Sequence, residues 1–125
     1  MIHKSIVDVA KQKFEDGHCA DAVESVFKGI NTRVKEIVRD KTREELDGAK
    51  LMFKAFSIDN PIIHLADLST QTGKNIQEGY MYIFAGAMRG IRNPGAHENI
   101  TIEEERATHY IFLASLLMYK LDEAI

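Results

Sequence analysis

A single cysteine, two prolines and the absence of any long apolar run set the first limits on this chain. Cys19 stands alone, so neither an internal disulfide nor a cysteine-based metal cluster can form within the chain, and the residue reads as a small core side chain. No segment is apolar enough to span a bilayer. Residues Met1 to Phe14 mix Ile2, Ile6, Val7 and Val9 with Lys4, Asp8, Lys11 and Lys13, which leaves no continuous apolar stretch of the signal-peptide kind. The expected compartment is therefore the cytoplasm, with no membrane partner. A large positive charge is missing as well: the net charge is −3, residues 1–50 hold ten basic and ten acidic side chains, and residues 51–125 hold six and nine. Bulk electrostatic coating of nucleic acid is thereby excluded, and any RNA must be held by a local patch. Phosphate-cradling glycine loops, nucleophile elbows and zinc signatures are absent too, and no cofactor or metal is expected.

What remains is a length of 125 residues, 45% of them hydrophobic and 28% charged, the profile of a single domain over 1–125 with one core. Between Pro61 and Pro94 and on either side of them the apolar spacing is helical, so the expected fold class is all-α, a bundle of four to five helices. The first covers about Ile2 to Glu15, with Ile2, Ile6, Val9 and Ala10 inward. A second runs from about Cys19 to Arg39 on a stripe through Val23, Val26, Ile30 and Ile37. Residues 40–48 are ambiguous, because Thr42 and Glu45 have capping-box spacing whereas Asp47-Gly48 reads as a turn. A short helix over Ala49 to Phe56 buries Leu51, Met52, Ala55 and Phe56, and residues 57–74 read as a connection. The fourth helix, about Ile76 to Ile91, is expected to start at an Asn75/Glu78 capping box and to turn Ile76, Tyr80, Ile83, Phe84, Ala87 and Met88 inward. The last, about Ile102 to Leu121, is expected to start at a Thr101/Glu104 box. Its middle, Tyr110 to Tyr119, is apolar nearly all the way round and needs cover on more than one side, from which an isologous homodimer is expected, with a fully enclosed central helix as the alternative.

The segment Arg92-Asn93-Pro94-Gly95-Ala96-His97 carries the chemistry. Arginine is a permanent cation that grips phosphate bidentately, and histidine exchanges a proton near neutrality. An Arg followed four to six residues later by a His arises about once by chance in a chain of this composition, so context decides its meaning. Pro94 is expected to force Asn93 out of helical backbone and to stop the fourth helix at Arg92. The small residues Gly95 and Ala96, with the amides through His97, could face an anion, and Arg89, three residues before Arg92, would enlarge the positive patch. Metal-independent RNA cleavage needs a base for the 2′-hydroxyl, an acid for the leaving 5′-oxygen and a cation for the phosphorane. One segment offers one imidazole. Two, meeting across a dimer axis, offer two.

The remaining titratable residues are weaker candidates. Glu105 and His109 share a helix face and read as a solvent-facing pair, His64 as a partly buried histidine beside Ile62, Ile63 and Leu65, and Glu103-Glu104-Glu105 as a match to the helix dipole. His3 and His18 carry no further signal.

Arg92-Asn93 followed by His97, lying between two long helices of a small all-α domain, resembles the Arg-x4-6-His signature of the HEPN superfamily. More narrowly, Gly17-His18, Leu51 to Ser57, Gly79-Tyr80 through Gly86-Ala87-Met88, and Gly90 through Glu98 resemble the Ymh-type family of bacterial and phage proteins. That resemblance implies an HEPN-like bundle, dimerisation that joins two motifs, and the metal-independent endoribonuclease activity of active HEPN members, which serve as toxins or in phage defence. It implies that Arg92 contacts the scissile phosphate, Asn93 orients the site and His97 is the general acid or base. Many toxin relatives carry a tyrosine two residues after the histidine, the target of a modifying antitoxin. Here Asn99 stands there, which speaks against an antitoxin of that kind. HEPN domains also include noncatalytic members, so a module that binds nucleic acid, nucleotide or a protein partner without cleavage stands as the alternative.

Overall fold

A computed structural model describes residues 1–93 and 100–125. Among these residues it contains five α-helices and no strand: α1 (Lys4–Glu15), α2 (Cys19–Thr42), α3 (Gly48–Phe56), α4 (Gln71–Ala87) and α5 (Glu104–Asp122), with a π-helical turn, Met88–Arg92, continuing α4. The all-α bundle expected from the apolar spacing is what forms. Helix α2 is its centre, packed on α1, α3, α5 and the π-helical turn, while α3 pairs with α4. Its stripe of Val23, Val26, Phe27, Ile30, Val34 and Val38 is fully enclosed. Burial of a stripe this long, more than any intrinsic propensity, is what stabilises a helix in water. Arg43 ends α2 in the left-handed region at φ 64°, later than the Arg39 expected. Thr42 lies inside the helix, its hydroxyl bonded back to the Val38 carbonyl, so it does not cap a following helix.

The short helix α3 buries Leu51, Met52, Ala55 and Phe56 as its spacing requires, and Phe56 stacks on Phe84 of α4 with centroids 4.5 Å apart. Helix α4 departs from expectation in both start and phase. It begins at Gln71, where the Thr70 hydroxyl accepts the Gly73 amide at 2.9 Å, and Asn75 lies one turn inside. Its buried face is Gly73, Gln77, Met81, Phe84, Ala85 and Ala87, continued by Met88, while Ile76 and Ile83 face out and Tyr80 is half-buried. The apolar residues alone point to another phase because the inward position one turn after Gly73 is a glutamine. Gln77 is fully enclosed: its Oε1 accepts the Leu65 amide at 2.8 Å and its Nε2 donates to the Phe56 and Ile63 carbonyls at 3.0 and 2.9 Å. Two backbone groups of the 57–70 connection and the last carbonyl of α3 are thus satisfied by one side chain, which lets that connection pack against the core. Within it Ile63 and Leu65 are buried and His64 is exposed, contrary to the partly buried histidine expected.

Two further corrections concern the ends of the chain. Val9 of α1 is exposed, and α1 starts at Lys4 with His3 as its cap, the ring Nδ1 accepting the Ser5 amide at 3.1 Å. Helix α5 starts at Glu104 with Glu103 in the capping position and no side-chain cap, so the Thr101/Glu104 box does not form. Ala107, Ile111, Ala114, Leu117, Met118 and Leu121 of α5 are buried against the rest of the chain. Its outer side presents Phe112, Leu116 and Tyr119, respectively 54%, 48% and 38% exposed. No helix among the described residues is long and apolar enough to cross a membrane.

Candidate functional site

The polar centre beneath Arg92 begins inside the apolar stripe of α2. Asn31 lies between Ile30 and Val34 on that helix and is only 4% exposed. Burial of an amide is tolerated when both its ends are bonded, and here they are. Its Nδ2 donates to Asp47 Oδ1 at 2.5 Å and its Oδ1 accepts the Gly48 amide at 3.0 Å. The amide orientation follows from these partners, since a carboxylate accepts and a backbone N–H donates.

Asp47 occupies the capping position of α3 in extended backbone, φ −147°, ψ 153°, yet its carboxylate makes no cap bond. It turns instead toward Asn31 and toward Arg92, whose Nη2 lies 3.5 Å from Asp47 Oδ2. Gly48 follows at φ 64°, and Arg92 Nη1 would be 3.7 Å from a Cβ placed there. A side chain is disfavoured at that φ for any L-residue, so glycine both permits the turn and leaves the backbone bare beside the guanidinium. Burial pushes the Asp47 carboxyl up, but the Asn31 hydrogen bond and the positive charges of Arg92 and Lys35 outweigh it and hold the group below its ordinary value. Asp47 is therefore an anion at neutral pH.

Arg92 ends the π-helical turn. Widened turns of this kind collect at functional sites, because the extra residue re-aims the side chains that follow. Asn93 was expected to leave helical backbone ahead of Pro94. It keeps it, at φ −62°, ψ −45°, with its N–H donating to the Met88 carbonyl. Proline disfavours that conformation in the preceding residue without forbidding it. The Arg92 side chain is 17% exposed and directed at Asp47, whereas Arg89 is exposed to solvent and Asn93 is half-buried. Pro94, Gly95, Ala96 and His97, with Glu98 and Asn99, lie outside the described residues, so the structure locates Arg89, Arg92 and Asn93 of the expected site and not its imidazole.

A hollow next to Gly90 and Ile91 is walled by Ile102, Glu103, Arg106 and Tyr110. The Arg106 guanidinium carbon stands 5.9 Å from the centre of the Tyr110 ring. Arg106 and Glu103 thus line the same hollow as Gly90 and Ile91. No group of three or more His, Cys, Asp and Glu side chains suited to a metal ion occurs among the described residues.

Sequence reasoning missed Asn31, Asp47 and Lys35. The one available signal was Asn31 itself, a polar residue where the α2 stripe calls for an apolar one. Asp47-Gly48 was legible only as a turn.

Comparison with known proteins gives one match. The family model described as "Protein of unknown function (Hypoth_ymh)" covers residues 1–121. No curated protein and no solved structure matches the chain.

Proposed function

This chain belongs to the Hypoth_Ymh family, and from its site we propose that it is a metal-independent endoribonuclease of HEPN type that works as a homodimer, in a toxin or phage-defence role. The observation that carries the reading is the placement of Arg92. Its guanidinium is held at the end of a widened helical turn, five residues before His97 in the sequence. Arg92 holds the scissile phosphate, His97 moves the proton, and Asn93 helps orient the segment between them. Arg89 adds positive charge, and Gly95 and Ala96 are small residues in the sequence between Arg92 and His97. Attack by the 2′-hydroxyl breaks the bond to the 5′-oxygen, and the strand ends in a cyclic phosphate.

A single imidazole serves as either base or acid in one step, so the complete reaction draws a second His97 from another copy. The exposed Phe112, Leu116 and Tyr119 on α5 support association of two copies, since apolar side chains clustered on one helix face favour burial against a partner. RNA is the substrate, and an antitoxin or other protein partner belongs to the same reading.

The ion pair between Arg92 and Asp47 favours a second reading. An arginine already engaged within its own chain suits a noncatalytic module that binds nucleic acid, nucleotide or a protein without cleavage. The ends of the RNA products distinguish the two. Digestion of pooled RNA in excess chelator yields 2′,3′-cyclic phosphate ends under the first reading. Intact RNA, or cleavage that stops when divalent ions are removed, contradicts it.

A further inference from the structure

We propose that Asn31 and Asp47 are positioning residues that hold the Arg92 guanidinium ready for an RNA phosphate oxygen. The proposal rests on the phosphate-binding role given to Arg92 above and adds to it a pair of residues from two other elements. Three observations carry it.

The first is the location of Asn31. An amide enclosed among Ile30, Val34 and their neighbours contributes less to a core than an aliphatic side chain of the same size, and it is tolerated because both its ends are bonded. Those bonds lead to Asp47 and Gly48, the two residues that border the Arg92 guanidinium. The second is the orientation of Asp47. In the capping position of α3 its carboxylate would ordinarily accept an amide from the first turn. No such bond is made, and one oxygen faces Asn31 while the other faces Arg92. The third is the form of the contact with Arg92. Guanidinium carries five N–H donors, and Asp47 meets it at one atom, Nη2, at 3.5 Å. A long single-point contact leaves the bidentate geometry that arginine uses for phosphate to be made with another oxyanion. Gly48 adds no side chain on the Nη1 side.

Together these form a chain from the buried helix α2 through the α2–α3 connection to the end of the π-helical turn. Fixing an arginine in this way removes the rotamer entropy that binding would otherwise cost. Lys35, on α2 one turn after Asn31, contributes positive charge to the same carboxylate.

The test uses Asp47→Asn in the full chain. Asparagine keeps an oxygen for the Asn31 amide, so the α2–α3 connection is retained, while the charge that holds Arg92 is removed. Three readouts are compared with wild type: the Arg92 Nε–Hε resonance, the Kd for an uncleavable mixed-sequence 2′-deoxy oligonucleotide, and the kcat and KM for cleavage of pooled RNA in chelator. An arginine that must be immobilised at the moment of binding is expected to bind up to about 10-fold more weakly. Expected are a melting temperature only modestly below that of wild type, an Arg92 resonance that moves to the position of a free arginine, oligonucleotide binding weakened about 10-fold, and a fall in kcat larger than any rise in KM. Asp47→Glu restores part of each. An unchanged Arg92 resonance and Kd overturn the relay. So does tighter oligonucleotide binding, which would make Asp47 a brake on Arg92. Wild type that binds the oligonucleotide but cleaves no RNA ends the ribonuclease reading alone, and the resonance and Kd then still decide the relay.

Discussion

Gln77 Oε1 accepts the Leu65 amide at 2.8 Å from the inward side of α4, although the two residues belong to a regular helix and an irregular connection. With its Nε2 on the Phe56 and Ile63 carbonyls, Gln77 anchors the whole 57–70 segment. Gln77→Leu keeps the volume and strands three backbone groups. Each unsatisfied buried group costs about 1–3 kcal/mol, so a loss on the order of 3 kcal/mol or more is expected from urea unfolding. An unchanged midpoint would show that those groups find other partners.

Gly73 and Gly79, two turns apart on α4, are expected to respond in opposite directions to alanine. A Cβ at Gly73 would lie 1.6 Å from the Asp67 carbonyl oxygen, which is backbone and has little freedom to move, whereas nothing lies within 4 Å of one at Gly79. Gly73→Ala therefore destabilises by at least the roughly 1–3 kcal/mol typical of overpacking. Gly79→Ala stabilises by about 0.5–1 kcal/mol through helix propensity. Thermal melts of the two variants side by side check the contrast.

Stability should fall on acidification, and Asp122 should contribute to the fall. Its carboxylate lies 2.8 Å from His3 Nε2 and 2.8 Å from Arg33 Nη2. The His3 hydrogen bond is the largest influence, burial opposes it, and with the Arg33 hydrogen bond and charge added the acid is held below its ordinary 3.8. A carboxyl whose folded-state value is depressed adds stability that is complete above its unfolded value and disappears as pH drops through the folded one. Asp47 is shifted the same way. Melting temperature should thus decline from about pH 5 downward. Asp122→Asn should melt lower than wild type at pH 7, with the difference closing at low pH. The effect is modest, since the Asp122 side chain is 45% exposed.

Phe112→Glu and Leu116→Glu place charge on the outer face of α5 while sparing its buried side. Sedimentation should show a monomer in place of the proposed dimer, with helix content kept, and RNA cleavage should be lost along with the dimer. Dimers that persist in both variants would move the interface elsewhere.

The helices were legible where one continuous apolar stripe decides them, as in α2 and α3. Failures came where a polar residue faces inward. Gln77 made Ile76 and Ile83 look like the buried face of α4, because hydrophobic periodicity counts side chains by type and cannot anticipate an amide serving three backbone groups of α3 and the connection after it. Capping-box spacing misled at Asn75 and Thr101 as well: α4 starts one turn earlier at the Thr70 hydroxyl, and α5 starts at Glu104 with no side-chain cap. At the site, Arg89, Arg92 and Asn93 could be singled out from sequence. Asn31 and Asp47 could not, since their meeting depends on the turn that brings the start of α3 back beside α2.

The most direct test of the account compares wild type with His97→Ala on pooled RNA in excess chelator, with the oligomeric state of each followed by sedimentation. Cleavage by wild type, its loss in His97→Ala and a dimer in both are predicted. Equal cleavage by the two proteins would contradict the assignment of His97, and with it the proposed chemistry of the Arg92–His97 segment.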